Sequence, residues 1–194
     1  MNKTIEMSKT AVPSKTPGMT KINGMSKTER LVVVSLFFAV ALIITVVENS
    51  LPPLPGTIPG VKFGFSNIAV MYVLFFVGKK EAFAIAVLKS IFVFATRGFV
   101  ASVLSLSGGL LSITVMVVLL LIFKDKISYM LLSISGAVFH NIGQLVAVSL
   151  IYTNFYLLYY FPVLLVSGIV AGIATAALLK VIMPVFQRLR LNNK

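Results

Sequence analysis

The chain of 194 residues contains no Cys and no Trp, a single His and five acidic residues. The absence of Cys excludes disulfides, thiol nucleophiles and Cys-based metal sites. His140 alone cannot form a zinc site, and Asp125, the one aspartate, cannot supply the carboxylate cluster that a Mg²⁺–diphosphate active site needs. A G-x-x-x-x-G-K-[ST] phosphate loop is also absent, so the chain cannot drive transport by its own ATP hydrolysis. We therefore expect no metal, no cofactor, no catalytic residue and no catalytic activity of its own.

Charged residues make up only 11% of the chain, against about 25% in ordinary soluble domains. Hydrophobic residues make up 58%, and the mean hydropathy is +1.02. A water-soluble fold cannot bury this much apolar surface, so lipid must be the solvent for most of the chain. Its apolar runs are continuous rather than alternating, which favours helices over a β-barrel. The composition predicts an all-α integral membrane protein of the cell membrane, with the bilayer rather than nucleic acid as partner.

Three segments differ in composition. Residues 1–30 carry a lysine at every sixth position together with Pro and Gly, which predicts a disordered basic tail. A solvated tail beside anionic lipid is the simple interpretation, and a specific binding role is the alternative. Residues 31–185 form the predicted membrane domain, and 186–194 form a basic cytoplasmic tail.

About six transmembrane helices are predicted, because one span needs about 20 residues. A Pro- and Gly-rich loop at 48–62 separates the first two spans, and the tyrosine-rich stretch 152–156 separates the last two. The fourth span contains Gly108 and Gly109, where we expect it to bend. The predicted spans are 31–47, 63–77, 82–96, 98–123, 128–151 and 157–183.

Placing both termini in the cytoplasm puts all but three of the 17 Lys and Arg residues on the inner side, as the positive-inside rule requires. The exceptions are Lys62, Lys89 and Arg97. Lys89 precedes Arg97 by eight residues, which places both on roughly the same side of a helix. A cation inside the membrane usually faces a partner or a polar cavity. These three cations predict an outward-facing pocket for an anionic or strongly polar ligand. In the alternative, Lys62 and Arg97 extend to lipid headgroups and Lys89 pairs internally.

The fifth span carries polar and small residues on one face at helical spacing, among them His140, Asn141 and Gln144. They either bind a ligand or bond neighbouring helices, and Asn67 of the second span can join either role. Small residues recur every fourth position in the sixth span (Ser167, Ala171 and Thr175 beside Gly168, Gly172 and Ala176) and in the first (Ser35 and Ala39). Such stripes indicate close helix packing or docking onto another membrane subunit.

Three motifs carry a family resemblance. They are Pro59-Gly60-Val61-Lys62-Phe63-Gly64-Phe65-Ser66-Asn67-Ile68, Ser107-Gly108-Gly109-Leu110-Leu111-Ser112 and His140-Asn141-Ile142-Gly143-Gln144-Leu145. In sequence, order and spacing they resemble the signatures of the Gx transporter family, which is also called heptaprenyl diphosphate synthase component I. The resemblance covers about residues 31–185, the predicted membrane domain.

This family is similar to the substrate-binding S components of energy-coupling factor (ECF) importers. The resemblance implies a six-helix S-component-like bundle that captures a small molecule from outside, with the 48–62 loop over the pocket. It also implies docking of the first helix, through Ser35 and Ala39, on a transmembrane T subunit that works with two ATPases. In the first helix this chain has Ser-x-x-x-Ala, which departs from the Ala-x-x-x-Ala pattern of such docking helices.

The synthase name implies a different function, that of a noncatalytic membrane partner of the catalytic subunit of a prenyl diphosphate synthase in quinone synthesis. The resemblance also makes an isoprenoid- or quinone-related ligand plausible, and a diphosphate or a carboxylate would suit the three cations. A membrane scaffold for a flavin-linked redox system is a third alternative. Substrate capture for an ECF-like importer is our first interpretation.

Overall fold

A computed structural model describes residues 26–50, 65–123 and 127–191, with side chains as far as residue 180. The predicted all-α class is confirmed, since the described part of the chain is helical and has no β-strand. It also has the expected six α-helices. These are α1 (Lys27–Ser50), α2 (Asn67–Phe76), α3 (Lys79–Arg97), α4 (Phe99–Phe123), α5 (Tyr129–Ile151) and α6 (Phe161–Leu191), with a short 3₁₀ helix at Phe155–Tyr160 before α6.

Four of the helical segments are long and apolar enough to cross a membrane, namely α1, α4, α5 and the stretch Phe155–Lys180. The chain is therefore a membrane protein. The predicted second span appears as α2, which has only ten described residues. That is half of the roughly 20 that one crossing needs. The predicted third span appears as the longer α3, which includes the charged turn that precedes it.

The short helix α2 lies in the centre of the bundle. Each residue from Ala69 to Phe75 is buried, as expected for a helix that is apolar on every side. It packs against α1, α3, α4 and α6, while α4 packs against α5 and α5 against α6. In contrast, α1 packs mainly on α2 and α3, which leaves much of its apolar surface exposed.

Helix α1 begins four residues earlier than its predicted apolar run. The backbone N–H of Glu29 donates to Oγ of Ser26 at 3.2 Å, and the Ser26 N–H donates back to the Glu29 carboxylate at 3.0 Å. This reciprocal capping box satisfies two N–H groups at the helix start. The helix therefore includes residues 27–30 of the predicted tail, whose first 25 residues lie outside the described part of the chain.

Basic residues gather at one end of the bundle. Arg30 of α1 forms a 2.7 Å ion pair with Glu81 of α3 and donates to the carbonyl oxygen of Val77 after α2. Gly168 and Gly172 of α6 pack on Val138 and Ile134 of α5, so the two helices run antiparallel and Lys180 lies near the start of α5. Tyr129, at that start, packs edge-on against Phe75 of α2. We call this the basic end, and it contains Lys27, Arg30, Lys79, Lys80 and Lys180.

Close helix packing depends on glycine at several points. A Cβ atom added to Gly172 of α6 would lie 2.5 Å from Cα of Ile134 in α5. The close approach expected from the small-residue stripe of the sixth span is thus present between α5 and α6. Helix α4 is one continuous helix through Gly108 and Gly109, and the bend expected there stays a prediction.

Candidate functional site

A polar cleft opens at the end of the bundle opposite the basic end. Helices α1, α3, α4 and α5 and the start of α2 contribute to its walls, and its volume is about 30 Å³. A space of this size holds roughly two water molecules, or one small functional group. The polar and charged residues that line it are Thr45, Glu48, Asn49, Ser66, Lys89, Arg97, Ser105, His140 and Gln144.

Lys89 lies at the inner side of the polar cleft and is only 3% exposed. Its Nζ atom donates to Oγ of Ser66 and to Oδ1 of Asn67, each at 3.0 Å. Both acceptors are neutral, so they fix the position of the ammonium without cancelling its charge. Residues 66 and 67 lie near the end of the first sequence motif, and their bonds to Lys89 account for a polar pair at the start of an otherwise apolar helix.

Two further charges belong to the cleft. Glu48, near the end of α1, is buried and interacts electrostatically with Lys89. Arg97 ends α3 at the mouth of the cleft, where it is exposed. Gly98 follows with φ of 85°, a conformation that favours glycine and lets α4 start directly after α3. The walls formed by α3 are therefore cationic, and α1 contributes a carboxylate opposite them.

His140 and Gln144 of α5 line the cleft one helical turn apart. The side-chain amide nitrogen of Gln144 lies 2.9 Å from Nε2 of His140, and both side chains are buried. The His140 ring packs against Gly108 of α4, where an added Cβ atom would lie 2.8 Å from the ring. Glycine at 108 is thus what allows the imidazole to fit between α4 and α5.

The structure divides the predicted ligand-binding residues into three groups. Lys89, Arg97, His140 and Gln144 line the cleft, and Asn67 reaches it through Lys89. Asn141 does not line it. Its Nδ2 atom donates to the carbonyl oxygen of Leu164 and to Oγ of Ser167, so Asn141 bonds α5 to α6. Lys62, like most of the 48–62 loop, lies outside the described residues.

The sequence prediction left out five polar lining residues, namely Thr45, Glu48, Asn49, Ser66 and Ser105. Glu48 was visible as the one acid that the predicted topology places outside, but its pairing with Lys89 joins helices that are distant in sequence. Thr45 lies three residues before Glu48 in an otherwise apolar run, and this helical spacing was a usable signal. Ser66 adjoins Asn67 in the first motif and could have been included with it.

The second and third sequence motifs form one contact between α4 and α5. Gly108 lies against His140, and a Cβ atom at Gly143 would lie 2.8 Å from the carbonyl oxygen of Ser107. The end of the first motif holds Lys89 beside the same cleft. Residues that are far apart in sequence but share the motifs therefore meet around one polar site.

Ser35 and Ala39, the predicted docking residues, lie on the outer surface of α1, and both are exposed. They do not contribute to packing within the bundle in the way that the glycines of α6 do. Within the described residues, no group of three His, Cys, Asp or Glu side chains is placed to hold a metal ion.

The comparisons with known proteins agree with the motifs. No curated protein and no solved structure matches the chain. A family model described as heptaprenyl diphosphate synthase component I matches residues 37–182, which cover α2 to α5 and most of α1 and α6. The chain belongs to the heptaprenyl diphosphate synthase component I family.

Proposed function

We propose that the chain is a substrate-binding membrane subunit that captures a small anionic or polar ligand in the polar cleft. The observation that carries this proposal is the position of Lys89, a cation buried in an apolar bundle and lining an open cleft. An intramembrane charge is costly and usually marks a site of function. Its hydrogen-bond partners, Ser66 and Asn67, are neutral, and the cleft lining contains two cations, Lys89 and Arg97, against one acid, Glu48. The lining therefore keeps a net positive charge for a ligand to balance.

The lining suggests how such a ligand is held. Lys89 and Arg97 suit a carboxylate or phosphate oxygen, and His140 and Gln144 supply hydrogen bonds beside them. As lined by the described residues, the cleft has room for a functional group and not for a long prenyl chain. An isoprenoid- or quinone-related ligand would therefore place only its polar head here.

The same proposal fixes the orientation in the cell membrane. With the basic end in the cytoplasm, Lys27, Lys79, Lys80 and Lys180 obey the positive-inside rule. Both termini are then cytoplasmic, and the polar cleft opens to the outside.

An importer of the ECF type would accept the loaded subunit through α1. The exposed stripe with Ser35 and Ala39 gives a transmembrane T subunit a surface with little side-chain bulk, and two ATPases would supply the energy. Replacing both residues by Leu is expected to prevent docking without unfolding the bundle, because neither side chain is buried. Val47→Leu, at an exposed position on another side of α1, is the matched control.

A second candidate function is favoured by the family match. In this alternative the chain is a noncatalytic membrane component of heptaprenyl diphosphate synthase, and its partner is the catalytic subunit. Catalysis would fall to that partner, since the described residues of this chain contain no acidic cluster of the kind that binds Mg²⁺–diphosphate.

Purification of the tagged chain from its native membranes tests both functions. Co-purification of a T subunit with ATPases, together with a small anion detected by native mass spectrometry, is the expected result. A soluble prenyl diphosphate synthase in the absence of a bound small molecule would favour the second function. Extracytoplasmic flavoproteins as the only partners would contradict both.

A further inference from the structure

A second, inner cavity lies deeper in the bundle, between α2, α4, α5 and α6, and has a volume of about 10 Å³. Its polar lining consists of Asn67, Ser112, Ser133 and Thr175, and the rest is methionine, alanine and glycine. Asn67 connects it with the polar cleft, because Oδ1 of this residue accepts the bond from Lys89. The Lys89 ammonium therefore lies between the two spaces.

Two donors at the inner cavity have no protein partner among the described residues. These are the Nδ2 atom of Asn67 and the hydroxyl of Ser112, both shielded from solvent. A buried donor without an acceptor costs about 1–3 kcal/mol. Two such donors at one small cavity call for an acceptor, and no group among the described residues bonds to them directly.

The other two polar residues offer acceptors. Ser133 uses its hydroxyl hydrogen on the carbonyl oxygen of Gly172, at 2.8 Å, and Thr175 uses its hydrogen on that of Ala171, at 2.7 Å. Each hydroxyl oxygen retains lone pairs that can accept. The inner cavity thus presents two donors and two acceptors, the complement of one water molecule.

We propose that the inner cavity binds a single ordered water that accepts from Asn67 and Ser112 and donates to Ser133 and Thr175. The volume agrees, because one water needs about 10–15 Å³ measured in this way. A bound cation does not suit the site, since the Nδ2 group of Asn67 presents hydrogens to it and the Lys89 ammonium is close by.

This water gives Ser112 a role as a positioning residue for Lys89. When Nδ2 of Asn67 is held by the water, the amide cannot rotate, and its Oδ1 atom stays turned toward Lys89. Ser112 ends the second sequence motif, and neither the polar cleft nor the contact between α4 and α5 accounts for it. Ser112 then acts through the water and Asn67 to keep the Lys89 ammonium at the inner side of the cleft.

A high-resolution experimental structure of the full chain tests the water directly. Density for one water within about 3.2 Å of Asn67 Nδ2 and Ser112 Oγ is expected, at ordinary hydrogen-bonding distance. In Ser112→Ala that density should be lost or weakened. Finding the inner cavity dry, or Ser112 bonded directly to Asn67, would overturn the proposal.

The positioning role can be measured without any ligand. Purified chain is treated with acetic anhydride, and acetylation of Lys89 is followed by peptide mass spectrometry with exposed Lys180 as internal reference. Ser112→Ala should increase the Lys89 rate about three- to tenfold, as expected for the loss of one hydrogen bond. Ser149→Ala is the matched control, because the Ser149 hydroxyl is also buried without a protein partner but lines neither space.

Equal Lys89 rates in the wild-type chain and in Ser112→Ala would overturn the positioning role. Because neither experiment contains a ligand, this result differs from a failure of the proposed function. If the chain proved not to bind a ligand, the expected water density and the expected Lys89 acetylation rates would stay the same.

Discussion

The Nζ atom of Lys89 lies 3.0 Å from the Oδ1 atom of Asn67, and this bond joins α3 to α2 next to a polar cleft. A lysine placed this deeply in an apolar bundle needs partners, and here the hydrogen-bonding ones are neutral. Glu48 of α1 provides the opposing charge through an electrostatic interaction. Helices α1, α2 and α3 are thus coupled through one ammonium group.

Glu48 and Lys89 are expected to be energetically coupled. Lys89→Gln removes a cation that attracts the buried Glu48 carboxylate, which destabilises the bundle. Adding Glu48→Gln removes that carboxylate, so the double variant should be more stable than the sum of the single effects by about 1–3 kcal/mol. Unfolding in mixed micelles measures the double-mutant cycle, and strictly additive effects would show that the two residues do not interact.

Gly108 and Gly109 should respond differently to the same substitution. A Cβ atom at Gly108 would collide with the ring and backbone of His140, whereas at Gly109 the nearest atom, Cβ of Ala86, is 3.5 Å away. Gly108→Ala should therefore lower stability by about 1–3 kcal/mol.

Gly109→Ala, the control, should be neutral or stabilising by up to about 1 kcal/mol through helix propensity. Thermal melts of the two purified variants give the comparison. Equal midpoints would mean that α4 and α5 are not in close contact at His140.

Substitutions of Asn141 and Gln144 should distinguish helix packing from ligand binding on α5. Asn141→Ala loses the bonds to Leu164 and Ser167 of α6, so it should lower stability by about 0.6–2 kcal/mol and leave ligand affinity unchanged. Gln144→Ala should weaken binding of the co-purifying ligand instead. The paired measurement is a melt and a binding titration for each variant, and a reversed pattern would place the ligand between α5 and α6.

The lack of cysteine makes the orientation directly measurable. Single-Cys variants can be made at Lys80, on the basic end, and at Tyr156, an exposed residue of the 3₁₀ helix between α5 and α6. A membrane-impermeant maleimide applied to intact cells should label Tyr156→Cys and spare Lys80→Cys until the cells are opened. Labelling of Lys80→Cys alone in intact cells would show the opposite topology, with the polar cleft facing the cytoplasm.

Much of this fold could be predicted from the sequence, because long uncharged apolar runs separated by charges or prolines specify membrane helices. The start of α1 was missed because its capping box, Ser26 and Glu29, lies in a polar segment without apolar periodicity. Within the site, the eight-residue spacing between Lys89 and Arg97 and the four-residue spacing between His140 and Gln144 predicted which residues share a wall.

The sequence alone could not show that His140 lines the polar cleft whereas its neighbour Asn141 does not. Successive helix positions differ by about 100° in direction, so these two side chains point toward different helices, α4 and α6. Which of these directions leads to the cleft depends on how α5 packs against its neighbours. Gly108 of α4 contacts α5 on one side, and Gly168 of α6 contacts it on the other. The pairing of Glu48 with Lys89 depends on packing in the same way.

The most direct test of the account is the affinity of the chain for the anion that co-purifies with it, compared in wild type, Lys89→Gln and Lys180→Gln. Lys180 is an exposed cation at the basic end and serves as the charge-matched control. Lys89→Gln should raise the Kd at least about tenfold, through loss of a buried charged contact, and Lys180→Gln should leave it unchanged. Equal affinities in all three folded proteins would contradict the assignment of the polar cleft as the binding site.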